Sequence, residues 1–105
     1  MTPDTLPNAA SLLTSRIKVP QHVVYRSFPS ETVVLNLQTG RYHGLNATAG
    51  GMLDALERAS CVRDAVVAVA ADYGQPQEVV EQDLCMLCSS LLERGLIELD
   101  GSFEP

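Results

Sequence analysis

Residues 32–57 read TVVLNLQTGRYHGLNATAGGMLDALE, and their pattern decides the fold. Val33, Leu35 and Leu37 alternate along the first part, which predicts a strand with that face buried. Gln38-Thr39-Gly40 then turns the chain, with Gly40 suited to the left-handed position that closes a three-residue hairpin loop. Residues 41–45, RYHGL, make the returning strand. Asn46 is a good helix cap, and after it Ala49, Met52, Leu53 and Leu56 recur at i, i+3, i+4 and i+7. Gly50 and Gly51 cost that helix about 1 kcal/mol each relative to alanine. Their presence predicts a close approach of helix to sheet.

Upstream, residues 18–28 (KVPQHVVYRSF) are extended, because Pro20 opposes a helix and HVVYR is rich in β-branched and aromatic residues. Downstream, Ser60 is placed to cap a second helix with Val62, Ala65, Val66, Val69, Ala70 and Tyr73 on one stripe, and Gly74 ends it. Pro76 suits the first turn of a third helix, whose inner face is Val80, Leu84, Leu87 and Leu91. Gly95 stops that helix and residues 96–99 (LIEL) add a short strand. Three antiparallel strands followed by three helices and a short wing strand make an α+β domain of winged helix-turn-helix type. Residues 1–15, with Pro3 and Pro7, read as a disordered tail, residues 16–100 as the domain, and 101–105 as a second tail.

A chain of 105 residues has room for one core, and with 5% aromatic residues and no Trp that core is built from Val, Leu and Ala. No apolar run reaches the ~18 residues of a membrane span, and the N-terminus lacks a signal-peptide pattern. Three cysteines without a secretory signal fit a reducing cytoplasm. Charge is unevenly spread: residues 16–45 carry a net +3, while residues 46–105 carry −8. The third helix has no Lys or Arg from Gln77 to Glu93, which argues against a DNA-reading winged helix.

The sequence offers few residues suited to catalytic chemistry. The pair Cys85-Met-Leu-Cys88 falls mid-helix, away from any dipole end that would activate a thiol, and no second CxxC completes a zinc site. Its cysteines read as apolar filling beside Leu92. His22 and His43 lie on strands with no nucleophile motif nearby. Glu78, Glu81 and Asp83 complement the positive end of the third helix. Asp83 lies about 70° round from the Leu84–Leu87–Leu91 stripe, beside Val79, Met86 and Ser90, at the border of the core. No metal, cofactor or enzymatic activity is expected. The sheet edge is the remaining asset: if RYHGL lies there, its free backbone groups are open to an added strand.

The hairpin VVLNLQTGRYHGLN, its Ala/Gly-rich helix entry, the helix beginning QPQEVVEQD, Asp83 and the exit LLERGLIEL together resemble the PqqD-like peptide chaperones, over residues 19–99. These are the recognition elements of ribosomally made, modified peptide pathways. The resemblance implies that the third strand takes up the leader of a precursor peptide as an antiparallel strand, in a groove shared with the third helix. The site would comprise Val33, Leu35, Arg41, Tyr42, His43 and Gly44 with Asp83, Met86, Leu87 and Ser90. If the other flank of the helix faces the groove, Cys85, Cys88 and Leu92 replace the Met86 side. VVYRSF and GRYHGLN look most like the stand-alone leader-binding protein of lasso-peptide biosynthesis. That would work beside a separate cysteine-protease-type leader peptidase and an asparagine-synthetase-like cyclase. A chaperone for a radical-SAM enzyme and a winged-helix DNA-binding regulator are the alternatives. The same edge permits a homodimer.

Overall fold

The computed structural model describes residues 9–100. Along the chain it runs α1 (Ala9–Leu13), β1 (Ile17–Lys18), β2 (Val23–Ser27), β3 (Glu31–Asn36), β4 (Arg41–Asn46), α2 (Ala47–Arg58), α3 (Val62–Tyr73), α4 (Gln77–Glu93) and β5 (Glu98–Leu99). Strands β2, β3 and β4 form the expected antiparallel meander, and β1 pairs with β5 as a separate two-stranded wing. The sheet packs on α2, and α2 and α4 both pack on α3. Leu53, Leu56, Val66, Leu84 and Leu91 fill the space between, all at most 2% exposed.

The buried face of β3 is the opposite of the one expected. Thr32, Val34 and Asn36 point into the core, whereas Val33 and Leu35 are half-buried on the outer face and Leu37 is exposed. The run TVVLNL carries apolar residues on both faces, so alternation alone does not choose between them. Two contacts do. The Asn36 carboxamide accepts the N–H groups of Gln38 (2.9 Å) and Thr39 (3.2 Å), which folds the turn inward over a satisfied buried amide. Thr32 offers a small surface to α2, where an added Cβ on Gly50 would lie 2.6 Å from the Thr32 Cβ. The turn is accordingly four residues, Leu37 to Gly40, with Gly40 at φ 76° and its N–H on the Asn36 carbonyl at 2.7 Å.

Gly50 thus marks the close approach that its sequence context predicts. Gly50→Ala should destabilise the fold by about 1–2 kcal/mol, because overpacking against Thr32 outweighs the gain in helix propensity. Chemical denaturation reads this directly, and an unchanged or raised midpoint would show that the sheet yields there.

Helix ends follow local chemistry with two shifts. Asn46 caps α2 by accepting the Ala49 N–H at 2.8 Å, and Gly74 ends α3 in the left-handed region. The cap of α3 is Cys61 rather than Ser60, with no side-chain bond; instead the Val62 N–H donates to the Ser15 carbonyl at 2.9 Å. Tertiary contact replaces the local cap. Pro76 stands one residue before α4, as its cap.

That contact with Ser15 also bears on the tail expected over residues 1–15, which is corrected over Ala9–Leu13. This segment is helical and seats Leu12 and Leu13, 1% and 5% exposed, against α3 and α4. A pair of adjacent leucines gives too short a stripe for periodicity to register, yet it closes one end of the core. Residues 1–8 and 101–105 lie outside the described residues.

Candidate functional site

Strand β4 is an edge of the three-stranded sheet, and hydrogen-bond parity shows which of its backbone groups are free. The Phe28 N–H donates to the Glu31 carbonyl (2.7 Å) and the Leu37 N–H to the His22 carbonyl (2.6 Å). Odd-numbered residues of β3 therefore turn their backbone groups toward β2. Those groups alternate sides along a strand, so Thr32, Val34 and Asn36 turn theirs toward β4. Their partners there are Leu45, His43 and Arg41. This leaves the N–H and C=O of Tyr42 and Gly44 directed at the open side.

Side chains alternate independently of this. Arg41, His43 and Leu45 take the side of the sheet that faces the helices, where His43 is half-buried opposite Val34 and Leu45 is buried. Tyr42 and Gly44 take the outer face, and Tyr42 is 71% exposed.

Below the edge on the helix side lies a shallow hollow of about 250 Å³, lined by Asn46, Thr48, Ala49 and Met52 from the β4–α2 junction and by Asp83, Met86 and Leu87 from α4. Met86 is also 71% exposed, an unbranched apolar side chain at the rim. The flank of α4 that borders this hollow is thus the one with Asp83, Met86 and Leu87. Cys88 is fully buried and Cys85 and Leu92 pack against the core. Ser90 is half-buried on α4 but does not line the hollow. Val33 and Leu35 are not at the edge; with Val24, Arg26, Phe28 and Tyr42 they line a second hollow of about 410 Å³ on the outer face.

Sequence reasoning assigned Ala49 and Met52 to the core stripe of α2 and so missed them as lining residues. They belong to both: Met52 is buried and Ala49 packs against the core, and both also line the hollow. The outer-face residues Val24 and Phe28 were missed for a different reason. Their only sequence signal is that apolar residues occupy both parities of β2 and β3, which alternation treats as ambiguity. A third, polar cleft at the wing sets Arg16 and Lys18 beside Glu57 and Asp100 and lies away from the β4 edge.

The titratable groups mostly serve structure. The Tyr25 hydroxyl donates to the Glu57 carboxylate at 2.5 Å, tying β2 to α2; burial, then this bond, raises its pKa. Burial pushes the Cys88 thiol up to about 12, and burial followed by the Glu81 charge raises Cys85. Neither is the activated thiolate that redox or metal chemistry uses. Among the described residues no three His, Cys, Asp or Glu side chains come together as a metal site. No described helix is long and apolar enough to cross a membrane.

The Cys88 shift has a consequence for alkaline stability. The unfolded thiol ionises near its ordinary value of 9.0, while the folded one holds its proton to about 12. Above pH 9 the unfolded state binds fewer protons, so stability falls as pH rises through that window. Denaturation midpoints measured across it should fall more steeply for the wild type than for Cys88→Ala. Parallel slopes would mean that the thiol is accessible.

Comparison with known proteins places this geometry in a lineage. The PqqD family profile, described as coenzyme PQQ synthesis protein D, matches residues 31–97. Among solved structures, TbiB1 in complex with the TbiA(beta) leader peptide is 32% identical, with a TM-score of 0.69 covering 83% of this chain and 99% of that one. A lasso peptide synthetase B1 complexed with its leader peptide has a TM-score of 0.70 at 22% identity, covering 79% of this chain and 98% of that one, and shares the fold. No protein of curated function matches the chain.

Proposed function

The chain belongs to the PqqD family, and on that premise we propose that it is a non-catalytic recognition domain for the leader segment of a precursor peptide. The leader adds to β4 as an antiparallel strand and lies between that strand and α4. One observation carries this reading: Tyr42 and Gly44 turn unpaired backbone groups to the open side of β4, the strand whose last residue, Asn46, lines the Asp83–Met86–Leu87 hollow. Backbone pairing gives affinity, and alternate leader side chains set the register. Side chains that take the side of His43 and Leu45 enter the hollow; those that take the side of Tyr42 and Gly44 lie on the outer face. Arg41 and Ser90 extend the site at its ends, and Asp83 receives a base where the leader offers one.

The protein delivers its bound precursor to separate enzymes, a cysteine-protease-type leader peptidase and an asparagine-synthetase-like cyclase of lasso-peptide biosynthesis, in the cytoplasm. The similarity to TbiB1 and to a lasso peptide synthetase B1, both bound to leaders, favours this over service to a radical-SAM enzyme. Pairing of β4 with a second copy is a competing use of the same edge. A dimer that leader peptide dissociates would place both at β4.

The test is titration of isotope-labelled protein with the synthetic leader of the precursor encoded beside it. Amide shifts should concentrate at residues 41–46 and along the Asp83–Met86 flank. Shifts confined to other surfaces, or none at saturating peptide, would overturn the reading.

A further inference from the structure

Gly44 has no conformational reason to be glycine. Its φ is not positive, and an added Cβ would meet only the Glu31 carboxylate, at an ordinary 3.7 Å. Glycine inside a strand weakens it, and it commonly marks a place where a ligand or another chain comes close. Here its missing side chain faces outward, on the same face of β4 as the exposed Tyr42 ring and beside the Glu31 carboxylate. It sits opposite Val33, which is half-buried and forms the near wall of the outer-face hollow. The glycine is therefore a gap in the edge strand through which Val33 is reached from outside the sheet.

We infer that Gly44 is a specificity determinant: the leader residue that pairs with it carries an aromatic or large aliphatic side chain, which lies across the glycine onto Val33 and against Tyr42. This rests on strand addition at β4. An added strand would stand about 9–10 Å from β3, two strand spacings away. A small side chain does not bridge that span, and a bulky one is blocked when the intervening strand carries a Cβ branch. Large residues paired with an edge glycine cover it in this way. The apolar outer face is continuous from Tyr42 and Val33 to Leu35 and Val24, so the seated side chain joins an existing surface. The leader is thus read on both faces of its strand. The helix-side hollow takes one set of side chains and the glycine gap takes at least one of the other.

Gly44→Ala and Gly44→Val test this, with the TbiA(beta) leader peptide and the leader encoded beside this chain as probes. Affinity should fall in order of size, roughly tenfold or more for valine. Thermal midpoints should stay at or above the wild-type value, since the site has room. Alanine in the leader at the position paired with Gly44 should weaken binding to the wild type and have little further effect on the valine variant. Wild-type binding that survives Gly44→Val unchanged would overturn the inference while leaving strand addition standing. Failure of both leaders to bind the wild type would overturn strand addition and this inference together.

Discussion

Proline at Tyr42 should abolish leader binding in a protein that still folds, and proline at His43 should instead damage the hairpin. The two residues are neighbours on β4, yet their backbone groups point opposite ways. His43 faces Val34 across the ladder, as the parity set by the Phe28–Glu31 and Leu37–His22 bonds requires. Removing its N–H and inserting the ring costs about 3 kcal/mol of stability. The Tyr42 N–H faces the open edge, a position where proline is tolerated. Tyr42→Pro therefore leaves circular dichroism and the unfolding midpoint close to wild type. It removes one backbone bond to the added strand, and its ring obstructs that strand's approach. Affinity should fall by roughly a hundredfold or more. Calorimetric titration with the leader supplies the binding half, and thermal unfolding of both variants supplies the other. A Tyr42→Pro protein that binds normally would exclude pairing at this edge.

The same parity shows where sequence reading stopped. The hairpin, the Asn46 cap, the Gly74 stop and the strand over residues 41–45 that forms the sheet edge were all legible, because each depends on a residue type at a fixed local position. What was not legible depends on two elements meeting. TVVLNL has apolar side chains on both faces, and only the contact between Gly50 and Thr32, with the inward-folded Asn36 turn, selects the face that is buried. The direction of the Tyr42 N–H follows from the β2–β3 pairing, a register that no residue of β4 encodes. Leu12 and Leu13 dock because α3 and α4 leave a place for them, and the amphipathic patch bearing them is too short to tell a docked helix from a free tail. The flank of α4 beside the groove was likewise open, since Met86 and Cys88 are both apolar. Packing places Cys88 inside and Met86 outside.

Met86 supplies the second large effect. An apolar side chain left 71% exposed contributes little to folding, so Met86→Ala should leave the unfolding midpoint unchanged. In the proposed complex the leader would lie over the hollow that Met86 lines and take that side chain out of water. Full burial of a methionine is worth about 1.5–3 kcal/mol, so its truncation should weaken leader binding roughly tenfold or more. Val67→Ala is the control, because Val67 is an exposed apolar residue of α3 that does not line the hollow. It should leave binding unchanged. Asp83 borders the same hollow as an exposed carboxylate, and its contribution is electrostatic. Asp83→Asn should therefore weaken binding at low salt more than at high salt, and only for leaders that carry a base at the facing position. A Met86→Ala loss that persists at high salt beside an Asp83→Asn loss that disappears would separate the apolar wall from the charge at its rim. Equal affinity for Met86→Ala and wild type would move the leader off this flank of α4 and leave strand pairing as its sole anchor.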